Sequence, residues 1–333
     1  TLNLVDVEFG ADKPITLVTG APNIKEMAEN FPEPPPKVAL ALSGALLIDA
    51  YHEDRPLKKL KSAKIRGISS EGMLCSELEL GLSEEHEGIL ILPEDAPVGK
   101  LLKDYLGDTT LHFDIKGGFG HLLSMLGVAR EISALTGKKL DKSVFPEISK
   151  LEVSAQPPFV ELEIKDIDIC PRYSALLIRN VKIGPSPFWI KQRLLRIGMR
   201  PINNIVDITN YVLHELGHPL HAFDAAKVDG ALDIRLATEG EAFNTLDGGE
   251  IKLAEEDLLI SDAAGNALAL AGVMGGAESG VSEVTTDVIL EAAYFTPSFI
   301  RRSSRRTALP PTHSWPSTAP TLASRRAAMC RSA

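Results

Sequence analysis

Apolar runs in this chain are cut so often by turn residues that only short strands and short helices can form from it. In the first hundred residues, Ile15-Thr16-Leu17-Val18, Val38-Ala39-Leu40-Ala41-Leu42 and Gly88-Ile89-Leu90-Ile91-Leu92 are separated by stretches rich in Gly, Pro and Asn. That is the spacing of short strands joined by turns. Segment Phe31-Pro32-Glu33-Pro34-Pro35-Pro36 can be neither helix nor central strand, because proline lacks an amide proton and fixes φ. Several short strands with turns between them predict a small β-barrel.

No apolar run approaches the roughly 20 residues a bilayer-spanning helix requires, so no membrane partner is expected. The opening Thr1-Leu2-Asn3-Leu4-Val5-Asp6 has neither the basic region nor the apolar core of a signal peptide. It also lacks an initiating Met, and the natural start is expected to lie upstream. Aromatic residues make up only 5% of the 333 residues, against 44% hydrophobic, so cores must be built from Leu, Ile, Val and Ala. Cys75, Cys170 and Cys330 are odd in number, far apart and without a CxxC pair, which fits a reducing, cytoplasmic setting. A formal charge of −10 argues against a chain that wraps nucleic acid over its whole surface. It leaves room for a local basic patch, because phosphate binding follows the local field.

Such a patch is present. Arg55, Lys58, Lys59, Lys61, Lys64 and Arg66 occur with no acidic residue from Arg55 to Arg66. On one strand, Lys59, Lys61 and the side chains two apart from them would share a face, which makes a ridge able to follow phosphates. An edge strand blunted by lysines would look the same.

Beyond it, helical spacing runs from about 122 to 136, with Gly137 placed as a C-cap. Gln156-Pro157-Pro158 marks a joint. Ala175-Leu176-Leu177-Ile178 reads as a strand. Ser186-Pro187 reads as N-cap and first position of a helix through Trp189, Leu194 and Leu195 that ends near Gly198. A second helix is predicted from about Asn203 to Glu215, then strands near 233–236, 258–260 and 268–271. This succession is α+β. From about Arg301 onward the chain is rich in Arg, Ser, Thr and Pro without apolar periodicity, the composition of a disordered tail.

Three stretches resemble the beta subunit of bacterial phenylalanyl-tRNA synthetase. Ile65-Arg66-Gly67-Ile68-Ser69-Ser70-Glu71-Gly72-Met73-Leu74-Cys75-Ser76-Glu77-Leu78-Glu79-Leu80-Gly81-Leu82, with Gly20-Ala21-Pro22-Asn23 upstream, is similar to the end of an OB-fold tRNA-binding module. That motif is common to several tRNA-binding proteins. Cys170-Pro171-Arg172-Tyr173, Gly198-Met199-Arg200-Pro201-Ile202-Asn203-Asn204-Ile205-Val206-Asp207-Ile208-Thr209-Asn210-Tyr211-Val212 and Gly217-His218-Pro219-Leu220-His221-Ala222-Phe223-Asp224 resemble the editing region, as do Leu270-Ala271-Gly272-Val273-Met274-Gly275-Gly276 and Leu290-Glu291-Ala292-Ala293. The likeness covers roughly residues 1 to 307. It departs at 116–121 and again after Leu309, where the family continues through a Thr-Asp-Ala segment and this chain reads Pro310-Pro311-Thr312-His313. A shifted reading frame would produce such a tail.

The resemblance implies a multidomain α+β chain. Its expected divisions are an OB-like barrel over 1–106 that begins inside the module, a connecting segment over 107–155, a B3/B4 editing domain over 156–300, and a disordered tail over 301–333. It implies tRNA binding through Arg55, Lys58, Lys59, Lys61, Lys64 and Arg66, and hydrolysis of Tyr-tRNA(Phe) in an editing pocket. A buried carboxylate discriminates tyrosine from phenylalanine, because only tyrosine supplies a hydroxyl donor. The resemblance assigns that carboxylate to Glu291. It places His221 beside the scissile ester, Thr209 and Asn210 on the cavity wall, and Gly275 where backbone must approach the ligand. Without it, Glu291 reads as a surface strand end, His221 and Gly275 as turn residues, and Thr209 and Asn210 as polar helix positions.

In the family the partners are tRNA(Phe) and an alpha subunit, in an α2β2 assembly. ATP and Mg²⁺ serve an aminoacylation site on the alpha subunit, so this chain is expected to bind no cofactor or metal. A catalytically inactive tRNA-binding scaffold is the second reading. A third comes from His214-Glu215-Leu216-Gly217-His218, a literal H-E-x-x-H zinc-hydrolase pattern. It needs both histidines on one face of a continuous helix. Gly217 and Pro219 oppose that geometry by ending the helix between them.

Overall fold

A computed structural model describes residues 2–29, 32–141 and 160–309. It divides into two compact units. The first takes in the described residues up to His112 together with Leu195–Met199, and the second holds the rest, beginning at Phe113.

The first unit is built almost wholly from antiparallel pairs. Strand β1 (Asn3–Val7) pairs with β2 (Ile15–Thr19), and helix α1 (Pro22–Glu29) follows. Then come β3 (Lys37–Val38), β4 (Leu40–Leu42), β5 (Leu46–Ile48), β6 (Leu57–Lys59), β7 (Ala63–Ile65), β8 (Ile68–Ser70), β9 (Gly72–Leu74), β10 (Ile91–Leu92) and the short helix α2 (Leu102–Leu106). The pairs are β5–β6 and β7–β8 as hairpins, with β4–β9 and β3–β10 joining distant segments. Val7, Leu17, Ile24, Leu74 and Ile89 make one aliphatic core, as the scarcity of aromatics requires. The Pro-rich segment, described from Pro32, forms no strand or helix before β3.

The predicted basic ridge is not one strand. β6 ends at Lys59, β7 begins at Ala63, and the two belong to different hairpins. The break at Leu60 allows the Leu60 amide to bond back to the Ala45 carbonyl at 2.8 Å, and the Gly44 amide to bond the Leu60 carbonyl at 2.8 Å.

In the second unit, α3 (Met125–Thr136) starts on Ser124, whose side chain accepts the Gly127 amide, and stops at Gly137 with φ 68°. It packs on α5, and the boundary between the two units falls between His112 and Phe113. The predicted Pro-rich joint lies outside the described residues. Strand β11 (Leu162–Ile164) precedes β12 (Arg172–Ile178), α4 (Phe188–Arg196) and α5 (Asn204–Leu216). Next are β13 (His221–Asp224), β14 (Leu232–Leu236), β15 (Ala242–Asn244), β16 (Glu250–Lys252), β17 (Leu258–Asp262), β18 (Ala267–Leu270), β19 (Met274–Gly275), β20 (Val288–Tyr294) and α6 (Pro297–Thr307).

Two sheets face each other. One has the order β11-β14-β17-β18-β19, with only the β11–β14 pair parallel; the other is the antiparallel triple β12-β20-β13. Tyr173, Phe223 and Ile289 from the triple share a core with Ile234, Leu258, Ile260 and Leu268 from the larger sheet. Each fully buried aliphatic residue there stabilises the fold by about 1.5–3 kcal/mol.

Helix α6 overturns the expectation of disorder from Arg301. Its residues through Thr307 are helical, Ser303 is buried, and Ile300 and Leu309 pack on the Phe243/Leu259/Leu270 cluster. The buried face uses Ser where hydropathy looks for Leu, and this hid the helix. The tail beyond Leu309 lies outside the described residues.

The polar residues of the Asn203-to-Asp207 motif fix how α4 and α5 begin. Asn203 caps α5 by accepting the Val206 amide at 2.9 Å. Asn204 donates to the Lys182 carbonyl at 2.9 Å. Asp207 is fully buried and accepts both the Ser186 hydroxyl and the Ile202 amide. Replacing it orphans two donors, at about 1–3 kcal/mol for each buried group. Asp207→Ala is therefore expected to lower Tm by several degrees in thermal unfolding monitored by circular dichroism. An unchanged Tm would show that the carboxylate does not hold the two helix starts.

Candidate functional site

On the inward face of the triple sheet, side chains stand in rows set by strand register. Leu177, Ile289 and Phe223 are aligned partners, and so are Ala175, Glu291 and His221; Tyr173 faces Ala293 in a third row. Alternation with period two puts Ile289, Glu291 and Ala293 on one face of β20, and both neighbours belong to the hydrophobic core. Glu291 thus occupies a core position and is only 6% exposed. His221 is its direct partner on the next strand, which sets their Cβ atoms about 4.5–5.5 Å apart. The nearest row partners and strand neighbours of Glu291 include the small Ala175 and Ala293, whereas the next row holds the large Leu177, Ile289 and Phe223.

Neither polar side chain is satisfied by the protein. Glu291 takes part in no hydrogen bond or ion pair among the described residues. Burial raises its pKa to about 8, so near neutral pH it is a protonated acid, able both to donate and to accept. His221 Nε2 is covered and has no hydrogen-bond partner. Burial lowers its pKa to about 4, and the ring is neutral. Phe223 sits edge-on to it, with centroids 4.6 Å apart. Buried polar groups without partners are rare in folded proteins and call for an explanation.

Gly275 on β19 supplies the opposite wall. A Cβ there would stand 2.8 Å from His221 Cε1 and 3.2 Å from Nε2, so only glycine lets this strand lie against the imidazole. The close approach, and no special φ, is what requires it. The structure therefore brings together His221, Glu291 and Gly275 from positions far apart in sequence.

Thr209 and Asn210 are on α5, which packs on β13. Thr209 is buried and its hydroxyl donates to the Val206 carbonyl at 2.7 Å, within its own helix. Asn210 is half-buried. The Thr209 hydroxyl thus donates to the helix backbone, and among the described residues no hydrogen bond joins Thr209 or Asn210 to His221 or Glu291.

Two residues escaped the sequence reading of the site, although both lie in its Cys170-to-Tyr173 motif. The Tyr173 hydroxyl is buried without a partner. Burial, and next the charge of Glu291, push its pKa well above the usual value. Cys170 is raised to about 11, by burial first and Glu291 after it. Only the resemblance could have pointed to them, since Tyr at a strand start is ordinary core material.

The H-E-x-x-H pattern is broken by the backbone. α5 ends at Leu216, Gly217 adopts a left-handed φ of 80°, and His218 lies beyond it on the surface. His214 remains in the last helical turn, so the two rings do not share a helix face.

In the first unit, Arg55 is paired with Glu84, and Lys58 with Asp49 at 3.1 Å. Lys59, Lys61, Lys64 and Arg66 are exposed, and none makes an ion pair among the described residues.

Residues 169–314 match the model of the B3/4 domain family, and residues 54–101 match that of a putative tRNA binding domain. The first span contains the His221, Gly275 and Glu291 constellation; the second contains the exposed basic residues of β6 and β7. A phenylalanine–tRNA ligase beta subunit from Porphyromonas gingivalis is 43% identical over 317 residues, which is 92% of this chain and 37% of that protein. One from Dehalococcoides mccartyi (strain 195) is 46% identical over 309 residues, 91% of this chain and 36% of that protein. A crystal structure of an N-terminal fragment of the Pyrococcus horikoshii phenylalanyl-tRNA synthetase beta subunit superposes with a TM-score of 0.34 at 15% identity over 58% of each chain, too distant to define fold or site.

The chain is thus one that joins a tRNA-binding module to a B3/4 domain. It belongs to the phenylalanine–tRNA ligase beta-subunit family, and it spans a little over a third of the length of the relatives it matches.

The raised Glu291 pKa has a consequence for stability. In the unfolded chain the group titrates near 4.5, and in the fold near 8. Its contribution is complete below about pH 4.5 and is lost as pH rises through 8, because the fold holds the proton while the unfolded chain releases it. His221 acts in the opposite sense, contributing above about pH 6.5 and losing that contribution as pH falls toward 4. Glu291→Gln is expected to gain stability over the parent at pH 8 relative to pH 5 in urea titrations. Equal differences at the two pH values would mean that Glu291 titrates normally.

Proposed function

We propose that this chain serves in phenylalanyl-tRNA synthesis as a beta-subunit component that binds tRNA(Phe) and hydrolyses tyrosine wrongly attached to it. The observation that carries the reading is Glu291, buried with no hydrogen bond among the described residues, in register with His221, whose unpartnered Nε2 lies against Gly275. Glu291 receives the phenol hydroxyl of tyrosine, accepting from it and, when protonated, donating to it. Phenylalanine leaves the carboxyl without that partner, at about 1–3 kcal/mol, or roughly 5- to 150-fold in discrimination.

His221 stands at the ester. With a pKa of about 4 its neutral ring aims a water by accepting a hydrogen bond, and it is too weak a base to hold a full proton. The water oxygen adds to the ester carbonyl and the bond to the ribose oxygen breaks. The proton ends on that ribose oxygen, releasing tyrosine and tRNA with a free terminal hydroxyl. Gly275 leaves backbone close to the aminoacyl group. Thr209 and Asn210 belong to the helix behind β13, where they support the wall.

Binding of tRNA is assigned to the exposed Lys59, Lys61, Lys64 and Arg66, with Arg55 and Lys58 partly neutralised by their carboxylate partners. The alpha subunit is the proposed protein partner, in an α2β2 assembly within the cytoplasm. The synthetic site, with its ATP and Mg²⁺, is placed on that partner. Among the described residues no helix is long and apolar enough to cross a membrane.

The test is deacylation of Tyr-tRNA(Phe) and Phe-tRNA(Phe) by the chain. Tyrosine is expected to be released faster, with Glu291→Ala and His221→Ala each slowing that release tenfold or more. Gly275→Val is expected to do the same by driving a side chain into the imidazole. Release unaffected by the first two changes would defeat the site assignment. Binding of tRNA with no hydrolysis would instead favour a scaffold.

A further inference from the structure

Helix α6 carries Arg301, Arg302, Arg305 and Arg306 with no acidic residue from Pro297 to Thr307. Positions one turn apart, 301 with 305 and 302 with 306, put all four guanidinium groups along one exposed side. With Ser298 they line a cleft of about 510 Å³, on a chain whose net charge is −10. The opposite side of the helix is anchored. Ser303 is buried, and Ile300 packs against Gly272, where a Cβ would lie 3.0 Å from Ile300 Cδ1. Gly272 begins the turn that leads into β19, the strand holding Gly275 against His221.

The four arginines do not have equal roles. Arg306 is paired with the fully buried Asp257 and donates to the Lys252 carbonyl at 2.9 Å. Its charge is committed to the fold. Arg302 lies over the Phe299 ring at 5.3 Å, which fixes its direction. Arg301, Arg302 and Arg305 make no ion pair among the described residues. Three unneutralised guanidinium groups on one short helix repel one another, and an anionic ligand would relieve that repulsion. The cleft is lined by Ser298 and arginines alone, with no carboxylate to neutralise them from within it. Guanidinium forks suit phosphate oxygens.

We infer that the Arg301–Arg302–Arg305 side of α6 is a second RNA-backbone site, holding phosphates of a bound tRNA on the same domain that carries the His221–Glu291 pair. This rests on the proposed function, and it adds an anchor separate from the Lys59-to-Arg66 region.

The experiment uses the whole chain and a labelled tRNA(Phe) transcript, with binding measured by anisotropy across a salt series. Arg301→Gln, Arg302→Gln and Arg305→Gln are combined; Arg306 is left in place to keep Asp257 paired. The slope of log affinity against log salt is expected to fall by about 2–3, at about 0.7–0.9 for each phosphate that is no longer neutralised. Affinity at low salt is expected to drop at least tenfold with Tm unchanged. The corresponding triple lysine variant, which keeps the charge, should retain most of the slope. An unchanged slope and affinity in the Gln variant would overturn the assignment while the deacylation result stands by itself. Competition by polyglutamate equal to that of single-stranded RNA would also overturn it, in favour of an acidic protein partner. No tRNA binding by the parent chain would remove both this inference and the tRNA-binding part of the proposed function.

Discussion

A carboxyl group placed where a sheet wants an aliphatic side chain is the constraint around which the second unit is organised. Glu291 alternates with Ile289 and Ala293 on a core-facing strand, and no donor or cation meets it among the described residues. Burying an acid this way is tolerated because it keeps its proton, as the rise to about pH 8 indicates. The neighbouring imidazole makes the complementary adjustment and stays neutral. Each group is compatible with the fold in its uncharged form. They share one row, bordered by Ala175 and closed by Gly275.

Much of the architecture was legible because backbone chemistry leaves local marks. Gly137 and Gly217 end α3 and α5 in left-handed conformations, and Asn203 caps α5, all readable from residue type and position. The same chemistry disposed of the H-E-x-x-H pattern, since a left-handed Gly217 turns His218 away from the helix. What was not legible depended on long-range pairing. The lysines from 58 to 64 read as one strand, and only the pairings of β6 with β5 and β7 with β8 show a break at Leu60. Helix α6 was hidden because Ser303 fills a buried position that hydropathy reserves for larger residues.

The site itself was legible only through resemblance. Glu291 and His221 are 70 positions apart, and nothing in either neighbourhood reports that the two face each other across a strand pair. Register supplies that information. Thr209 shows what residue type leaves out: its motif suggests a hydroxyl offered to ligand, and the fold adds that this hydroxyl donates to the Val206 carbonyl. Tyr173 looks like core material in sequence, and only the fold shows that its hydroxyl is buried without a partner.

The Asp207 carboxylate accepts from the Ser186 hydroxyl ahead of α4 and from the Ile202 amide ahead of α5. One buried anion thereby fastens two helix starts to each other, and α5 in turn backs the strand bearing His221. That flank behaves as a stiff buttress. The opposite wall is β19, a two-residue strand paired with β18 on one edge and tied on the other by the Leu246 amide, which donates to the Gly275 carbonyl at 3.0 Å. The imidazole is thus enclosed between a helix-backed strand and a wall of bare backbone that is pinned on both of its edges.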